Sequence, residues 1–196
     1  MANTSHIAYD GTSGSNHNPS SVSVFDGISQ KINVNSAGVK DFSTTGLSIT
    51  FANGTYPDGD IWVSKGSINP DIFDIPVNPW VYKKYLEAVA DPDNYVILAT
   101  GRLQKVENMR KYVDMILSKH NISFDEIYLN WGGDTYNFKT KLFEQLIEKL
   151  GVNEFIMYDD RSEHLVRFEE WAEEHHIDVT VVDVINKKET NYPNNI

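Results

Sequence analysis

Between residues 47 and 184, short apolar runs alternate with segments whose apolar residues recur every three or four positions. Few architectures accommodate that alternation. The run YVILA at 95–99 is apolar throughout, as a strand covered on both faces must be. LSITF at 47–51, EIYLN at 126–130, EFIMY at 154–158 and DVTVVDV at 178–184 are further strand candidates. Between them lie helical stripes. Asn78-Pro79 supplies a cap and a first-turn proline, and Trp80, Val81, Tyr85 and Val89 share the inward face of the helix that follows. Val106, Met109, Val113, Ile116 and Leu117 stripe a second helix, and Phe138, Leu142, Leu146 and Leu150 a third that Gly151 closes. Ser162 is the expected cap of a fourth, carrying Leu165, Phe168 and Trp171. Strands alternating with helices of this length require right-handed crossovers. The expected class is α/β: a Rossmann-like three-layer sandwich with a mainly parallel sheet.

Residues 1–46 differ in texture, being rich in Ser, Asn, Thr and Gly, with Lys31 as the first basic residue. SVSVF and KINVN could pair as strands, but neither buries a core alone. This stretch is expected to be an extended N-terminal arm that docks on protein partners, 47–185 the domain proper, and 186–196 a polar tail. The absence of cysteine excludes disulfides and thiolate chemistry. A net charge of -11, from 17 basic and 28 acidic residues, makes nucleic-acid binding an unfavourable expectation. The opening MANTSHIAYDG has no basic start or apolar core of a signal peptide, and no apolar run is long enough for a bilayer. The expected location is the cytoplasm or the interior of a virus particle, without membrane contact, with a homo-oligomer left open.

In an open parallel sheet, ligands bind beyond the carboxyl ends of the strands. Three such ends carry chemistry here. Thr100, Gly101 and Arg102 follow YVILA, Lys139 lies just inside the helix after EIYLN, and Asp159, Asp160 and Arg161 follow EFIMY. A hydroxyl and an ammonium suit phosphate oxygens, and paired carboxylates suit Mg²⁺. Taken singly, each has a plainer reading: a strand-to-helix turn, a solvated lysine, a capping aspartate. Their order on successive strands is what argues for a site. His164, His175 and His176 lack metal-ligand spacing and are expected at the solvated surface; Trp62, Trp80, Trp131 and Trp171 are expected to pack rather than to stack on a ligand.

The stretches VILATGR, NFK and FIMYDDRSEH resemble the second, third and fourth motifs of the haloacid dehalogenase-like (HAD) phosphohydrolases. They are nearest the polynucleotide phosphatases and the Swiss army knife RNA-repair HAD domain. The resemblance implies that Thr100, Gly101 and Lys139 grip phosphate and that Asp159 and Asp160 hold Mg²⁺. It also implies a first motif, Asp-x-Asp-Gly-Thr, whose first aspartate attacks phosphorus and whose second gives and takes the leaving group's proton.

No stretch contains that pair. ITFANGT aligns best but has Phe51 and Asn53 in the acids' places; SVSVFDGIS offers Asp26 with Ile28 two residues on; IAYDGT offers Asp10 with Ala8 before it. Taking ITFANGT as the equivalent makes 47–51 the central strand and the domain catalytically degenerate, with Mg²⁺ weakly bound or absent. The expected role is then a structural or binding part of a larger assembly, such as a virus particle. The alternative is a Mg²⁺-dependent phosphatase of nucleotide or polynucleotide ends with Asp26 as nucleophile. A phosphate sensor using Thr100, Lys139 and the loop amides near Gly54 is a third reading.

Overall fold

The computed structural model describes residues 19–27, the backbone of 30–34, 40–45 and 49–51, and residues 77–192. Its main sheet has six strands in the order β6-β5-β1-β7-β8-β9: β1 Ser21–Phe25, β5 Asn94–Leu103, β6 Glu126–Asn130, β7 Glu154–Asp159, β8 Asp178–Asp183 and β9 Lys188–Tyr192. All neighbours run parallel except β8 and β9. Helices α1 (Pro79–Ala90) and α2 (Met109–Lys119) cover one face, α3 (Thr135–Leu150) and α4 (Ser162–His175) the other. The expected α/β sandwich is therefore found. Among the described residues no helix is long and apolar enough to cross a membrane.

The central strand is not the expected one. β1 lies between β5 and β7, with Phe25 level with Leu98 on one side and Tyr158 on the other. The run at 47–51 contributes β4 (Ile49–Phe51), which pairs with β2 (Gln30–Val34) in a separate three-stranded sheet with β3 (Lys40–Thr45). The pattern Ser-Val-Ser-Val reads as a half-solvated strand, yet every residue of β1 is buried. Asn94 explains this. Its side-chain amide donates to Ser23 Oγ at 2.9 Å, while Ser21 Oγ donates to Asn94 Oδ1 at 3.3 Å. Each buried hydroxyl thus has a partner, which removes the penalty that would have kept it at the surface.

Two boundaries change accordingly. The domain begins by residue 21 rather than 47, so the supposed arm carries its central strand. The second sheet is inserted between β1 and α1. The tail expected at 186–196 contains β9, whose pairing with β8 runs from Asp183↔Lys188 to Val179↔Tyr192. Residues 1–18 and Asn53 lie outside the described residues, as do the arm's expected contacts with partners.

The helices follow their stripes. Asn78 Oδ1 accepts from the backbone of Trp80 at 2.9 Å and Val81 at 3.1 Å, capping α1 as its sequence requires. Phe138, Leu142, Leu146 and Leu150 are buried, and Gly151 ends α3 at φ 70°. Two details differ: Val106 precedes α2 rather than lying on its stripe, and Arg161 occupies the cap position of α4, without a side-chain cap bond, so that Ser162 is the first helical residue.

Candidate active site

Because β1, β5 and β7 are parallel neighbours, the residues just past their carboxyl ends converge. Asp26 follows β1, and its backbone N–H donates to Tyr158 O at 3.1 Å, keeping it in step with β7. Lys139, in the second turn of α3, is completely buried. Its ammonium donates to Asp26 Oδ1 at 2.8 Å and to Asp159 Oδ2 at 2.7 Å. Asp159 also accepts from the backbone of Arg161 at 2.9 Å through Oδ1, and His164 Nδ1 stands 3.4 Å from Oδ2.

Burial pushes the Asp159 carboxyl upward, but the Lys139 charge and the bonds from His164 and Lys139 win, holding it well below the usual carboxylate range. Burial likewise pushes the Lys139 ammonium down, and the charges of Asp159 and Asp26 more than reverse this, so it stays protonated beyond its ordinary range. The two aspartates differ in access. The Asp26 side chain is 22% exposed and that of Asp159 only 1%. Asp26 is the carboxylate that an incoming group can reach.

Carboxylate oxygens of Asp26, Asp159 and Asp160 lie within 4.8 Å of one another. Three hard anionic oxygens this close, two of them on partly exposed residues, suit an octahedral divalent cation that keeps some of its water. The expectation of weak or absent Mg²⁺ assumed that Phe51 had replaced the first carboxylate. The structure places the Asp26 carboxylate beside Asp159 and Asp160.

Thr100 is buried at the end of the regular β5–β6 pairing, whose register then shifts between Thr100 and Leu103. This bulge leaves Arg102 buried near Asp26. Desolvation lowers its guanidinium to about 10, and Asp26 opposes the shift. Gly101 has its own constraint: a Cβ there would stand 2.8 Å from Thr135 Oγ1, so α3 starts hard against this loop.

The structure thus places Thr100, Gly101, Lys139, Asp159 and Asp160 at one sheet edge, and Asp26 with them. Phe51 lies in the three-stranded sheet, whereas Asp26 follows the strand between β5 and β7. His164 was expected at the surface but is buried against Asp159; the phrase DDRSEH carries it one helical turn past the acids, which is the signal that could have found it. Arg102 was visible as the third residue of TGR, and only the bulge reveals its burial. Trp171 packs in the core under α3 and α4, Trp80 is partly buried against the core on the opposite face, and Trp131 is 45% exposed; Trp62 lies outside the described residues.

The sequence profile of HAD domain family 1 in Swiss Army Knife RNA repair proteins matches residues 73–194. That span holds Thr100, Lys139, Asp159 and Asp160, and starts well after Asp26. Neither curated proteins nor solved structures yield a match.

Proposed function

Since the chain belongs to HAD domain family 1 in Swiss Army Knife RNA repair proteins, we propose that it is a Mg²⁺-dependent phosphomonoesterase with Asp26 as nucleophile. One observation carries this reading. Of the two carboxylates that Lys139 bonds among the described residues, the more accessible, Asp26, directly follows the central strand, beside Asp159 and Asp160.

In the proposed reaction an oxygen of Asp26 attacks phosphorus in line. The new oxygen–phosphorus bond forms as the bond to the leaving oxygen breaks. Water then cleaves the acyl phosphate, returning the Asp26 carboxylate and orthophosphate, and the proton this releases to solvent balances the one that the departing oxyanion takes from solvent. Thr100, Lys139 and Arg102 would stabilise the charge on the phosphoryl oxygens. Mg²⁺ would be held by Asp26, Asp159 and Asp160 and would supply further charge neutralisation. The family's name points to RNA ends as substrates. The net charge of -11 favours a single terminal phosphate over a long backbone tract.

Ile28 favours a second reading. It stands two residues after Asp26, where its alkyl side chain can neither give nor take a proton. Without an acid there, the chain could bind phosphate ends without turning them over, as a binding or structural part of an assembly. Turnover of p-nitrophenyl phosphate and phosphorylated oligonucleotides with Mg²⁺ separates the two readings. The phosphatase reading expects activity that falls to background in both Asp26→Asn and Asp159→Asn. Silence in the wild type alongside retained phosphate binding supports the second.

A further inference from the structure

We infer that Trp131 is a stacking platform for a nucleobase, making the phosphate end of a nucleotide the preferred ligand of this site. The inference rests on the phosphate-site reading above and adds the substrate's second contact.

Trp131 is the first residue past β6, at the same carboxyl edge of the sheet as Asp26 and Thr100. The order β6-β5-β1 puts it two strands from Asp26, roughly 10 Å across the edge. A large apolar ring left 45% exposed at the rim of a polar site loses hydrophobic free energy unless something covers it. It is also held in place. Its ring meets buried Phe138 edge-on, with centroids 4.9 Å apart at 90°. Phe138 immediately precedes Lys139, so one turn of α3 both braces the ring and delivers the ammonium to Asp26.

The loop beyond the ring is built to stay open. Gly132 and Gly133 adopt φ values of 139° and 82°, which side-chain-bearing residues rarely take, and a Cβ on either would meet nothing within 4 Å. Asn130 fixes this turn, accepting from Gly132 N at 2.8 Å and donating to Gly133 O at 3.1 Å. The space over the two glycines that follow Trp131 is therefore open. The acidic surface disfavours tracking of a phosphate backbone, so recognition would concentrate on one phosphate and one stacked base.

The test compares nucleoside monophosphates, phosphorylated at the 5′ or 3′ position, with ribose 5-phosphate, which carries the same group and no base. Wild-type kcat/KM should favour the nucleotides. Trp131→Ala should erase that preference, lowering the nucleotide value by about 5- to 150-fold while ribose 5-phosphate changes little, and Trp131→Phe should restore most of it. Equal values for nucleotides and ribose 5-phosphate in the wild type overturn the inference, as does an equal effect of Trp131→Ala on both. If no substrate turns over, the phosphatase reading fails, and tryptophan fluorescence still tests the platform. Nucleotide quenching that disappears in Trp131→Phe supports it; absent quenching, or quenching that persists in that variant, overturns it.

Discussion

Lys139 has no exposed surface and bonds two carboxylates, so its charge is compensated only while both stay in place. Lys139→Met should destabilise the fold by about 3–5 kcal/mol in urea titration, because it leaves buried Asp159 without its counter-charge. Adding Asp159→Asn should recover part of that loss. Ile28 is the opposite case, a position where adding a group should help. Ile28→Asp should raise turnover of alkyl phosphates, whose leaving oxygens need a proton, by about a hundredfold, and change p-nitrophenyl phosphate little. Steady-state rates on the two esters check this. At this scale the sequence was partly legible. Thr100, Asp159 and Asp160 are recognisable because each follows an apolar run, and Lys139 because it lies early in a clearly striped helix. Asp26 was harder to place because Ser21 and Ser23 disguise its strand, and their burial depends on Asn94, more than seventy residues away.

The elements follow their hydrophobic periods closely, since α1 to α4 and β5 to β8 each bury a face the sequence already marks. What periodicity cannot convey is which strand pairs with which. LSITF and SVSVF are both plausible centres, and only long-range pairing separates them. The shift in β5–β6 register near Gly101 is equally silent in the sequence, although it sets the approach of α3. Gly101→Ala should cost roughly 1–3 kcal/mol and depress activity, because its Cβ would overlap Thr135 Oγ1 and crowd Cγ2. Combining it with Thr135→Ala removes both atoms and should return most of the loss. A double-mutant cycle of stability measurements reads that coupling directly.

Across the whole molecule, several buried groups keep their protons in the folded chain at pH values where an unfolded chain would release them. Burial raises the phenols of Tyr95 and Tyr158, and Lys139 is raised by its two partners despite its burial. Arg102, lowered by burial, opposes them, but the three raised groups outnumber it, so the folded state binds more protons above about pH 10 and stability falls as pH rises through that range. Asp159 acts at the other end: held low, it contributes stability above about pH 4 that is lost on acidification. Denaturation curves collected across pH should show both declines, and Tyr158→Phe should flatten the alkaline one. Deleting residues 1–46 should leave no cooperatively folding monomer, as judged by circular dichroism and gel filtration, because β5 and β7 lose the strand between them.

The position of β1 also sets a timetable for biosynthesis. Its register with β5 pairs Ser21 with Asn94, and its register with β7 pairs Val22 with Phe155. A ribosome adding about 5–20 residues per second would leave this segment without one flank for roughly 4–15 s, and without the other for roughly 7–27 s. An all-valine segment waiting that long would invite pairing with neighbouring nascent chains. The serines at 21 and 23 keep it wettable during the delay, and Asn94 takes over their hydroxyls once the gap between the two flanking strands is filled.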